Sequence, residues 1–133
     1  SSFEGILDSK NRISIPSTFR NTISLSKEKV YLFKSLKYSC LEIHLASKIN
    51  SLIKSFDEKD FLSKKNDHFK TAILSDLEEL SIDKDGRITL RETHQIFSKI
   101  LKEIIFIGKG NHFEIWQKNL GESHKLASRR KIK

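Results

Sequence analysis

With 133 residues, 37% apolar and 32% charged, the chain is sized for one domain, or for two small halves that share a core. Its 25 lysines and arginines outnumber 17 acids and leave a formal charge of +8, which favours a polyanionic partner, nucleic acid before an anionic membrane surface. The lone cysteine, Cys40, excludes an intrachain disulfide and argues against a structural zinc site, and no apolar run reaches the roughly 18 residues of a membrane span.

In chain order, "SSFEGILD" is too short and too acidic for a signal peptide, and a start without Met is expected of a fragment that has lost part of its first strand. "DSKN", residues 8–11, predicts a tight turn with Asn11 in the left-handed region. The alternation of Arg12, Ile13, Ser14 and Ile15 predicts a strand with its isoleucines on one face. Pro16 marks the start of a short helix, with Ser17 or Thr18 as its cap. "VYLF" (30–33) and "CLEIHL" (40–45) read as two strands. In the next segment Ile49, Leu52, Ile53 and Phe56 recur at helical spacing behind Ser47 as a cap, and Phe69, Ile73, Leu77 and Leu80 share one face, so a helical hairpin is expected near 46–79.

From Asp83 the pattern repeats. "DKDG", with Gly86 at the left-handed position, is followed by Arg87, Ile88, Thr89 and Leu90. "RETHQIFSKIL" places Ile96, Phe97, Ile100 and Leu101 at helical spacing. "IIFI" and "HFEIW" are two strands joined through "GKGN", and "SHKLASRRKIK" is a basic ending expected to fray or move. At an offset of 75, Asp8 falls on Asp83, Arg12 on Arg87, and Val30-Tyr31-Leu32 on Ile105-Phe106-Ile107; after a three-residue surplus "LEIH" falls on "FEIW". The chain is therefore read as one domain of two pseudo-repeats: 3–45, a helical insert 46–80, 81–117, and a basic tail or helix 118–133.

Nothing in this pattern points to an enzyme. The five histidines show no ligand spacing, Glu78-Glu79 reads as a solvated helix end, and "GKGN" has the wrong length and context for a phosphate loop. No cofactor, metal or small-molecule substrate is expected. "SIDKDGRITLRE" (81–92) does imitate a calcium loop, with Asp83, Asp85, Gly86 and Glu92 at the third, fifth, sixth and twelfth positions. Against it, Ser81 takes the first position, Arg87 brings a cation to the site, and the partner copy has Lys10 where a ligand would stand. Two readings of the Asp-to-Arg spacing stay open on the residues alone. An arginine after a tight turn can offer a planar fork of donors to a guanine edge or a phosphate. Alternatively, the pair only locks the turn. The loops differ in charge, "DSKNR" at +1 and "DKDGR" at 0, so the first should bear more of any electrostatic load.

The paired D-x-x-x-R turns, "DSKNRISIPSTFR" and "GKGNHFEIWQK" together resemble the MraZ family of bacterial transcriptional regulators over nearly the whole chain. The resemblance implies an α+β fold: a duplicated swapped-hairpin β-barrel of the AbrB/MraZ type with an inserted helical hairpin. It implies a homo-oligomeric ring in the cytoplasm, associated with the nucleoid. Its partner would be double-stranded DNA, at promoter repeats ahead of a division and cell-wall gene cluster, with no membrane partner. Carried over by position, the DNA-contacting residues are Asp8, Ser9, Lys10, Asn11 and Arg12, then Asp83, Lys84, Gly86 and Arg87. Three departures stand out: Asn11 precedes the first arginine where the family has Gly, Arg91 stands where the second copy has proline, and the segment before Asp8 is short. A ring-forming scaffold without specific DNA binding is the alternative.

Overall fold

Short alternating segments can bury only one face each, so this chain must stack them against one another and against helices. A computed structural model describes residues 1–60 and 62–132. Its elements are β1 (Ser2–Ile6), β2 (Arg12–Ser14), α1 (Ser17–Ser26), β3 (Val30–Lys34), β4 (Leu41–Leu45), α2 (Ala46–Asp60), α3 (Lys64–Asp76), β5 (Glu78–Glu79), β6 (Arg87–Thr89), α4 (Glu92–Ser98), β7 (Glu103–Gly108), β8 (Phe113–Gln117) and α5 (Lys118–Lys131). The fold is mixed α+β, and its strands pair antiparallel.

Six strands form one sheet in the order β1-β7-β8-β4-β3-β5, while β2 and β6 make a separate ribbon. The expected closed barrel is instead an open sheet, because its end strands β1 and β5 do not pair with each other. β5 offers only two residues to a ladder, too few to bridge that gap. β1 crosses to the opposite half and pairs with β7, with Phe3 against Phe106; β5, at the end of the segment read as the insert, stands before the second turn as β1 stands before the first, and pairs with β3, with Glu78 against Leu32. The main core fills the space between ribbon, α1 and sheet, where Ile13, Ile15, Ile88 and Leu90 meet Leu32, Leu41, Ile104 and Ile115. Phe19 of α1 stacks on Phe113 at 4.1 Å and meets Phe3 and Phe106 edge-on. The opposite face of the sheet is covered by α2 and α3, through Phe33, Ile49 and Ile73, and by α5 beside Ile105 and Trp116.

Several expectations change at the element ends. Val30 and Leu32 enter the same core as Ile104 and Phe106, so the repeats align there one residue earlier than the sequence match onto 105–107. Pro16 itself is the N-cap of α1, and no side chain caps that end; Ser17 is already helical. Ser47 is helical too: its N–H donates to Glu28 Oε1 at 2.7 Å and its hydroxyl donates to Oε2, so a glutamate from before β3 caps α2. α4 stops at Ser98 because Lys99 is left-handed, with φ 60°. Helical periodicity ends there, which leaves Leu101 exposed while Ile100 turns into the core; Ile96, within α4, lies on the exposed side of the helix. α3 likewise ends at Asp76, and Glu78-Glu79 is an edge strand rather than a helix end. The basic ending is an ordered helix from Lys118, capped by the Gln117 side chain, which accepts from the Leu120 N–H.

Candidate nucleic-acid interface

The ribbon sets the geometry. Ile13 pairs with Ile88, Arg12 with Thr89, and Ser14 with Arg87, so a local two-fold relates the copies. Beyond the ribbon the Ile15 N–H donates to the Gly86 carbonyl, and the Leu90 N–H donates to the Asn11 carbonyl. Each strand is therefore bound to the turn of the other copy, and the two turns are carried as one body.

The turns are built alike. In the first, the N–H groups of Lys10 and Arg12 donate to Asp8 Oδ1 at 2.8 and 2.9 Å, and Arg12 Nε donates to Oδ2 at 2.9 Å. In the second, the N–H groups of Asp85 and Arg87 donate to Asp83 Oδ1, each at 2.9 Å, and Arg87 Nε lies 3.3 Å from Oδ2. Asn11 and Gly86 hold φ of 61° and 78°, the left-handed positions expected of them. The N–H of Arg12, joined by its guanidinium and the Lys10 N–H, holds the Asp8 carboxyl below its ordinary 3.8. The Arg87 and Asp85 N–H groups do the same for Asp83. Both arginines are partly exposed, with 27% and 29% of their side-chain surface open, and neither is sealed in the fold. Ser9, Lys10 and Lys84 are exposed beside them.

The loops differ at one aligned position. Asp85 accepts from Arg87 Nη2 at 2.9 Å, and Lys10 stands at the corresponding place in the first copy. The second guanidinium thus carries two acidic partners, and the first loop keeps its extra cation. These contacts also explain why 81–92 is not built as a calcium loop. The Asp83 oxygens are turned onto N–H groups and Arg87, and β5 lies where an entering helix would be.

Arg20 was missed by reasoning from the turns alone. It projects from α1 with Nε donating to the Ile15 carbonyl at 3.0 Å, is exposed, and lies over Gly86, where an added Cβ would come within 2.6 Å of its Cδ. Gln95 repeats that bond to the Leu90 carbonyl in the second copy. The signal was present in "PSTFR": one helical turn after Pro16 returns a side chain to the turn region. The histidines also depart from expectation. Although sequence spacing shows no ligand set, His44 of β4 and His112 of the turn entering β8 stack at 4.5 Å, beside Glu42 and Glu114.

Comparisons with known proteins agree with one another. The family model described as "MraZ protein, putative antitoxin-like" matches residues 73–124. A protein of Pelagibacter ubique (strain HTCC1062) named "Transcriptional regulator MraZ" is 33% identical over 132 residues, covering 98% of this chain and 85% of its own length. Its namesake in Rickettsia akari (strain Hartford) is 35% identical over 129 residues, covering 95% and 85%. That of Beijerinckia indica subsp. indica is 28% identical over 134 residues, covering 100% and 82%.

Proposed function

The chain belongs to the MraZ family of transcriptional regulators, and from that premise we propose that it binds double-stranded DNA sequence-specifically through the turns 8–12 and 83–87. One observation carries the reading: two equally built Asp–Arg turns, related by a two-fold and fastened to one ribbon, on a chain with +8 charge. The Asp–Arg bond and the donor role are compatible. Asp8 engages Nε and so fixes the plane of the guanidinium, while its two amino groups remain the natural fork for a base edge or phosphate. Asp8 and Asp83 position; Arg12 and Arg87 contact; Ser9, Lys10, Asn11, Lys84 and Gly86 shape and charge the tips. Arg20 joins them as a further cation.

The exchange of β1 and β5 between halves supports the swapped-hairpin architecture. Exposed Ile6, Ile96 and Leu101 support self-association, and a ring is the assembly we propose. The targets would be spaced promoter repeats ahead of a division and cell-wall gene cluster, reached in the cytoplasm at the nucleoid. The test is a binding series on DNA from upstream of the chain's own gene. Arg12→Ala should cost on the order of 1–3 kcal/mol if it reads a base. Arg87→Ala should cost less, because Asp85 already occupies its Nη2. If Arg12 touches only phosphate, its loss weakens all sequences alike and flattens the salt dependence. Failure to bind any duplex at any salt concentration, with the oligomer intact, would favour the scaffold reading that the exposed apolar residues also suit.

A further inference from the structure

Glu42 and Glu114 stand directly opposite each other where β4 meets β8. Like charges at such a pair repel, and both side chains are largely removed from water. Lys109 Nζ, 3.5 Å from Glu114 Oε1, offsets one of the two negative charges. With neutral imidazoles, one remains.

Two histidine nitrogens face that surplus. His44 Nε2 is 2.8 Å from Glu42 Oε1, and His112 Nε2 is 3.6 Å from the same oxygen and 3.2 Å from Glu114 Oε2. His112 Nδ1 is engaged separately with Asn111 Oδ1 at 2.7 Å, which leaves Nε2 as the nitrogen turned to the acids. One oxygen and two nitrogens, from Glu42, His44 and His112, all lie within 4.8 Å of one another. Tetrahedral ligands on a zinc-sized ion sit roughly 3.4 Å apart for metal–ligand bonds of about 2.1 Å; the 3.6 Å separation is close to that value, and the 2.8 Å one is a direct hydrogen bond that an ion would open. The cluster borders a cleft of about 410 Å³ between the sheet and the helical insert, which gives an ion and a completing water a way in.

We infer that Glu42, His44 and His112 bind one divalent transition-metal ion of the zinc class, clipping β4 to the turn that enters β8. Imidazole with carboxylate suits such ions; Asn111 Oδ1 holds His112 through Nδ1, the nitrogen not turned to the ion, and Glu114 adds negative charge beside the site. The imidazole rings are within 6° of parallel, so each must turn about its broad χ2 to aim at a shared ion. The site lies on the face of the sheet opposite the ribbon and is independent of the DNA reading.

The test uses the full chain stripped with a chelator, titrated with Co²⁺ in visible absorption and with Zn²⁺ in thermal melts. One Co²⁺ per chain with tetrahedral bands, and a melting temperature that rises with Zn²⁺, are expected. His112→Ala should abolish the bands and weaken binding by more than the ~10–100-fold typical of a lost supporting partner. Glu42→Gln, which keeps the side-chain shape, should weaken it too, whereas His68→Ala, at an exposed position of α3, should bind as the wild type does. A wild-type chain with no bands and no Zn²⁺ response overturns the site. So do bands that survive both His112→Ala and Glu42→Gln.

Discussion

Asp8 shows how much a single side chain can fix: one oxygen takes two backbone donors and the other takes the arginine Nε. Asp83 repeats this, and the work is done by the ionised form in both. Because the folded carboxyls lie below 3.8, the turns keep their full contribution above that value and lose it as the pH falls through the lower folded values. Carbon-detected NMR titration should therefore show both carboxyls protonating below 3.8, with the Arg12 and Arg87 Nε–H resonances moving in step. Titration at the ordinary value would mean that the turns are open in solution. At this scale the sequence was informative, since Asx-turn bonding is local and needs only Asp, a residue tolerant of positive φ, and Arg in order. The partly buried pair Asp8–Arg12 was one of two open readings, and the fold makes the lock real without hiding the fork.

Among the elements, α5 depends on a residue that composition does not flag. Gly121 lies where an added Cβ would come within 2.3 Å of Ile105 Cγ2 and 2.9 Å of Trp116 Cβ. The helix therefore docks on β7 and β8 by close backbone approach, and no loose tail results. Gly121→Ala should destabilise the chain by about 1–3 kcal/mol through overpacking, read as a lower urea midpoint followed by Trp116 fluorescence. An unchanged midpoint would mean that α5 is not seated there. The sequence reading failed at α4 and α3 for a related reason. Apolar spacing continued past both ends, but Lys99 and Leu77 leave helical geometry, and the later apolar residues pack from other backbone directions. Periodicity reports which residues want burial, and a short step out of helical geometry, left-handed at Lys99 and extended at Leu77, can satisfy that want without a helix.

For the whole molecule, the question is how two weak turns could give useful affinity. One ribbon presents only two guanidinium groups, so the proposed regulator needs several copies on spaced repeats, where effective concentration takes over from added contacts. A duplex with one repeat should bind far more weakly than one with several at the same salt concentration, in anisotropy titrations; equal affinities would remove the multivalent mechanism. The open sheet is compatible with such assembly, since β1 ends it with an unpaired edge and Ile6 exposed.

By itself the sequence determined the two turns, the strands that follow them, the helical insert and the family likeness, because each is written in neighbouring residues or in a repeat that can be aligned. The tertiary structure alone decided that β2 pairs with β6, that β1 and β5 cross to the opposite halves, and that the sheet stays open. It also decided that Glu42, His44 and His112 share one place. Strand pairing and side-chain clusters are contacts between distant segments. Their register is set by which faces the whole core can bury together, a sum over many residues that no local window contains.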